Sequence, residues 1–281
     1  IFKHEKTMKT KIYALLLTAL LSTPCLQAGD MEKSLASDTP DTTDTTVLKR
    51  RISIGVLAGT DIGGAVPYPF KHIPDKFNPY PQLSIALGAK VNIPLKGKKW
   101  GLGAEVTYKR IALDADARVE NQRFEGMDQG VKKTQYFSGT AAMSMAFNMI
   151  EVPLYVRYAF TSGQGSHLLF GVYGAYYLNS RLNVTATKGY VGNEPDEFRN
   201  AVTPEAPIHM DFSSSMDSWD AGLLLGYEKK LFSRFDIGLR VTFGLKDIFT
   251  ADNKYFDYKM LQMRGSLTLS YDLFVLRTRD K

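Results

Sequence analysis

The sequence predicts an all-β fold: an eight-stranded antiparallel up-and-down transmembrane β-barrel with both termini in the periplasm. Three observations carry that expectation. An export signal opens the chain, eight later stretches alternate apolar and polar residues, and aromatic residues gather toward the two ends of those stretches. An exported chain of alternating strands suits a barrel in a bacterial outer membrane, where lipid-facing and lumen-facing residues must alternate along every strand.

Met8 reads as the start, with residues 1–7 upstream and not native. Lys9 and Lys11 precede an apolar run from Ile12 to Leu21, and Leu26-Gln27-Ala28 offers a cleavage site before Gly29. A run of ~10 residues is too short to cross a bilayer as a helix and fits a signal peptide over 8–28. Cys25 is the single cysteine, and Pro24 before it is a poor neighbour for lipid attachment. Cleavage after Ala28 removes that thiol, and with it disulfide and thiolate–metal chemistry. It also removes Lys3, Lys6, Lys9, Lys11 and Glu5, four cations and one anion, so the formal charge falls from +6 to +3. The basic balance is then no argument for a nucleic-acid partner. Residues 29–46, ending in Asp41-Thr42-Thr43-Asp44-Thr45-Thr46, are too polar to bury and are expected to form a disordered acidic periplasmic tail. The barrel domain is assigned to 47–281.

The strands are expected at 51–59, 82–93, 100–112, 147–160, 167–181, 217–230, 235–246 and 259–275. Ile52, Ile54 and Val56 make one face of the first; Leu83, Ile85, Leu87 and Val91 make that of the second. In the fourth, Ile150, Val152, Leu154, Val156, Tyr158 and Phe160 oppose Glu151, Tyr155 and Arg157. Leu223 and Leu225, then Ile237, Leu239 and Val241, then Leu267 and Leu269 repeat the pattern in the last three. Each stretch is about the ~9–11 residues that a tilted membrane strand needs. Short connections at 94–99, 161–166 and 231–234 alternate with long ones at 60–81, 113–146, 182–216 and 247–258, as barrels with turns on one side and loops on the other require.

A soluble barrel also alternates, but buries its apolar face. Here Trp100, Tyr158, Phe160, Phe170, Tyr227, Phe235 and Tyr271 gather at the turn end of the apolar face, and Tyr108, Tyr176, Trp219 and Phe243 toward the loop end. Two aromatic belts around an aliphatic band are what membrane interfaces select, so the apolar face is assigned outward. The inward face then carries Lys90, Lys109, Arg157, Arg181, Arg240, Lys246 and Arg264 against Glu105, Glu151, Asp220, Glu228, Asp236 and Asp272. Charges in so narrow an interior must pair, and the near balance of sign predicts a network that plugs the lumen. Pro153 cannot donate to a ladder, so a bulge is expected at it.

The segment Ile150-Glu151-Val152-Pro153-Leu154-Tyr155-Val156-Arg157-Tyr158 resembles the signature of the PorT-like outer-membrane β-barrel proteins of Bacteroidota, an apolar-Glu-apolar-Pro-Leu run followed by Lys or Arg and Tyr. The resemblance covers about residues 50–275. It implies an outer-membrane barrel of about eight strands, with Glu151, Pro153 and Arg157 as structural positions. It brings no catalytic residues and no cofactor.

Enzymatic chemistry has little support in the sequence. Ser166-His167 lies at a turn, and His209, Asp211 and Ser213 share a loop whose bland reading is a polar segment with one histidine. Gly101-Leu102-Gly103 is strand glycine without the strand–turn–helix context of a nucleotide site. No cofactor and no metal are expected. The first long loop, with Tyr68, Phe70, Phe77 and Tyr80 among prolines, is either a stiff surface contact or a cap on the rim. The expected function is non-enzymatic, structural or partner-binding, as an accessory to a surface secretion or uptake system. The alternatives are a small transport pore and, behind it, a lipid hydrolase. The expected partners are outer-membrane lipid and other outer-membrane or periplasmic proteins.

Overall fold

A computed structural model describes residues 50–74, 77–95, 99–128, 131–160 and 165–278. The signal peptide, Cys25 and the acidic tail lie outside the described residues.

Eleven strands occur among the described residues: β1 (Arg50–Tyr68), β2 (Asn78–Pro81), β3 (Ile85–Pro94), β4 (Trp100–Asp128), β5 (Val131–Ala159), β6 (Ser166–Gly192), β7 (Asn200–Val202), β8 (Ile208–Asp211), β9 (Trp219–Lys230), β10 (Phe235–Gly244) and β11 (Lys259–Thr278). Eight of them close a ring in the order β1, β3, β4, β5, β6, β9, β10, β11, with β11 pairing back onto β1 and every ring pairing antiparallel. Closure leaves no ring edge with unpaired backbone groups, which a strand facing lipid cannot tolerate. The short strands β2, β7 and β8 add onto β4 and β6 above the ring.

The strands extend further than the sequence pattern suggested. β4 and β5 run as one continuous hairpin through the stretch read as a long loop at 113–146, and β6 continues to Gly192. The reason is visible along β4. Leu102, Val106 and Tyr108 face outward and exposed while Glu105, Thr107 and Lys109 face inward and buried. Past that point the alternation keeps its phase but exchanges its chemistry. Asp116 and Arg118 now face outward, while Ile111, Leu113, Ala115 and Ala117 face inward. On β5 the same exchange separates outward Leu154 and Ile150 from outward Ser144, and inward Glu151 from inward Met149, Phe147 and Met145.

The barrel therefore holds two interiors. Near the turns its inside is charged and its outside apolar. Near the loops its inside is an apolar core that includes Ile111, Phe137, Met145, Phe147, Leu182, Phe212, Ile248 and Met260. That upper part obeys the ordinary rule for a water-exposed domain, with apolar groups buried and polar groups outside. The level where the rule reverses marks the edge of the lipid-facing band.

Pro153 sits in the ladder without a bulge. The β4–β5 pairing stops at Ala104–Leu154 and resumes at Thr107–Glu151 in the same register. The missing N–H leaves a local gap in pairing instead of an extra residue.

Candidate functional site

The charged half of the lumen is the most elaborate side-chain arrangement among the described residues. Its lower cluster holds four cations and four anions. Arg157 meets Glu228 at 2.5 Å, Lys90 meets Asp236 at 2.8 Å and Glu228 at 3.5 Å, and Lys230 meets Asp236 at 2.9 Å and Asp272 at 3.2 Å. Arg240 grips Glu105 through both terminal nitrogens, at 2.5 and 2.7 Å, while the Tyr155 hydroxyl donates to the same carboxylate at 2.6 Å. The upper cluster holds two cations and two anions. Lys109 bridges Asp61 at 3.0 Å and Glu151 at 2.8 Å; Arg264 meets Glu151 at 2.5 Å and Asp61 at 3.7 Å. Asp220 accepts a hydrogen bond from the Tyr173 hydroxyl at 2.8 Å, beneath the Arg264 guanidinium that lies over the Tyr173 ring.

Both clusters are electrically balanced, which is what burial demands. An unpaired charge in a dry interior costs several kcal/mol, and only close partners and extra hydrogen bonds recover it. Packing is correspondingly tight. The void between the clusters, lined by Glu105, Thr107, Lys109, Glu151, Arg240 and Thr242 among others, measures about 10 Å³. That is at most the room of a single water molecule.

Ten of the thirteen lumen residues named from sequence lie in these clusters, buried or, for Arg157, mostly buried: Lys90, Glu105, Lys109, Glu151, Arg157, Glu228, Asp236, Arg240, Arg264 and Asp272; Asp220 is buried beside the upper one, on Tyr173. Two differ. Arg181 is exposed on the outer face, because the β5–β6 register slips between Asn148 and Met149 and shifts the side-chain alternation of β6 above Tyr177. Lys246 lies beyond the end of β10, paired with Asp217 and placed 4.3 Å over the Trp219 ring. Asp61 and Lys230 belong to the network and were missed. Asp61 fell in a presumed loop, although Val56, Ala58 and Ile62 continue the alternation of β1 past it. Tyr155 and Tyr173 were missed as partners because an aromatic ring reads as core until its hydroxyl is seen to meet a carboxylate.

The first long loop divides its aromatics between two roles. Tyr68, Phe70 and Tyr80 are exposed, whereas Phe77 lines a small apolar cavity with Phe256, Tyr258 and Met260 at the top of the barrel. His72 stacks on Tyr258 at 5.1 Å. Burial, aided by neighbouring Asp257, pushes the Tyr258 phenol up to about 12. The loop thus caps the rim with one part and presents rings with the other.

The polar groups of the third loop engage different partners. His209 shares a hydrogen bond with Thr185 at 3.1 Å; Ser213 Oγ accepts from the Leu182 amide at 3.1 Å, and the Ser213 amide donates to Asp211 at 2.9 Å. The Ser213 hydrogen bonds hold the Asp211 carboxyl below its ordinary range. The nucleophile–base contact that acyl transfer needs is not made between His209 and Ser213.

A family described as outer membrane protein beta-barrel domain matches residues 35–250. No curated protein matches the sequence. Among solved structures, the chain is similar to Ail, the attachment invasion locus protein of Yersinia pestis, crystallised with the heparin analogue sucrose octasulfate. That likeness has 8% identity and a TM-score of 0.34, and covers 79% of this chain and 99% of Ail. The monoaromatic hydrocarbon channel CymD is similar at 8% identity and a TM-score of 0.19, covering 79% of this chain and 88% of CymD.

Proposed function

This chain belongs to the outer membrane protein beta-barrel domain family and resides in the bacterial outer membrane; from that premise we propose a non-enzymatic barrel with a closed lumen that works through its loops. Its long loops face the cell surface, and its termini face the periplasm. The protein binds a partner there, as an accessory to a surface secretion or uptake system.

The observation that carries this reading is the filled lumen. Two balanced charge clusters with a void of about 10 Å³ between them support a lumen closed to a continuous water path, since separating the clusters would strand buried ions. The exposed rings of Tyr68, Phe70 and Tyr80, on a proline-stiffened loop, support partner contact, because rigid aromatics lose little entropy on binding. The separate engagements of His209 and Ser213 support a role without catalysis.

The test is a cross-linked pull-down of tagged protein from intact outer membranes, with captured proteins identified by mass spectrometry. Stoichiometric recovery of a secretion or uptake component is expected, and it should fall when Tyr68, Phe70 and Tyr80 are changed together to Ser. Recovery of the barrel alone would overturn the partner-binding reading.

A further inference from the structure

Outward residues just above the apolar band form an ordered pattern. Tyr108 pairs with Ile150, Ile150 with Tyr176, and Tyr176 with Trp219, giving one exposed cross-strand row over β4, β5, β6 and β9. One pair nearer the loops, Arg110 lies between Ile85 and Asn148, and Asn148 pairs with Asn179. The next outward row is Ala112, Ala146 and Arg181.

Arg110 and Arg181 are both exposed, and neither side chain has an ion-pair or hydrogen-bond partner among the described residues. The nearest outward carboxylate on β4, Asp114, is engaged by Gln82. Small Ala112 and Ala146 occupy the row beside Arg181, and Asn148 and Asn179 the row beside Arg110, so only short side chains separate the two arginine positions. Two strand spacings across and two residues along put the arginine Cα atoms about 12 Å apart.

Cations at this level meet a particular environment. The aromatic row marks the interface between hydrocarbon and headgroups. Exposed Ile85, and Leu83 at 88% exposure, flank Arg110 with apolar surface. An arginine there keeps its stem along apolar surface and its guanidinium among headgroups, where forked N–H donors match phosphate oxygens.

We propose that Arg110 and Arg181, with Asn148 and Asn179, seat the phosphate groups of an anionic glycolipid in the leaflet on the loop side. The inference rests on the reading that the long loops face the cell surface. The seat holds one lipid in place against the wall formed by β4, β5 and β6, and its spacing suits a headgroup carrying two phosphates.

The experiment is native mass spectrometry of the detergent-solubilised barrel titrated with bisphosphorylated lipid A and, in parallel, with lipid A stripped of both phosphates. The wild type should bind the phosphorylated lipid at least about tenfold more tightly, and Arg110→Gln with Arg181→Gln should abolish that preference, since each charged hydrogen bond carries about a tenfold effect. Arg118→Gln with Lys188→Gln, higher on the same outer face, should leave it intact. Equal affinity for both lipids, or an equal loss in the two double variants, would overturn the proposal. Orientation is read separately, by labelling Lys188→Cys on intact cells with a membrane-impermeant maleimide. Absence of labelling would overturn the surface reading and the seat together; labelling without phosphate preference would overturn the seat alone.

Discussion

Replacing Leu154 with arginine should destabilise the barrel by about 2–4 kcal/mol, whereas replacing Ser144 on the same strand should cost about 0–1 kcal/mol. Both side chains project from the same face of β5, and both are exposed, so burial in protein does not separate them. What separates them is the surrounding medium. Between Ile150, in the upper aromatic row, and Tyr158, packed at a tilt against Trp100 in the lower one, lie eight residue steps. At ~3.4 Å per step and a tilt near ~40° they rise ~21 Å, close to the ~25 Å apolar band of such barrels. Leu154 is halfway, where an arginine is hardest to hydrate. Ser144 lies six residues beyond Ile150, well outside that band, beside Asp114 and Asn183. Equilibrium urea unfolding in lipid vesicles reads both costs through the fluorescence of Trp100 and Trp219. Equal costs, or a larger cost at Ser144, would refute the polarity reversal along β5.

Glu105→Gln removes the charge that Arg240 grips and leaves only Glu228, at 4.0 Å, to compensate it. A loss of about 3–5 kcal/mol is expected in the same unfolding assay, and a loss below about 1 kcal/mol would contradict the buried-pair account. Gly63 has φ of 128°, and a Cβ there would stand 2.2 Å from the Met263 carbonyl oxygen, so Gly63→Ala should cost about 1–3 kcal/mol; wild-type stability would contradict this. Tyr258 is held neutral to about 12, above its ordinary 10.0, so its contribution is complete below pH 10 and is lost as pH rises toward 12. Stability of the loop cap, followed by protease resistance of residues 247–258, should decline across that window in the wild type, and Tyr258→Phe should remove that part of the decline. An identical pH profile in both proteins would refute it.

The ring order and outward face of the barrel could be read from alternation and from the placement of aromatic residues, because lipid imposes both on every spanning strand. The upper barrel was harder to read. Beyond Lys109, alternation persists through Ile111, Leu113 and Ala115, but its outward partners become Asp114, Asp116 and Arg118. A search for apolar-out strands stops there, although the period does not. Arg181 shows a different limit. The slip beside Met149 leaves no mark in residue type, and one extra residue sends every later side chain to the other face. The pairing of lumen charges was legible only as a near balance of sign. Which carboxylate meets which cation depends on the shear of the closed ring, which brings Glu105 to Arg240 across 135 positions of sequence.

The closed lumen is tested most directly by single-channel recording of the purified barrel in a planar bilayer. The account predicts no steady openings from the wild type, and openings only when both clusters are thinned, for example by Glu105→Ala, Arg240→Ala, Glu151→Ala and Arg264→Ala together. Steady, voltage-independent conductance from the wild type would contradict it.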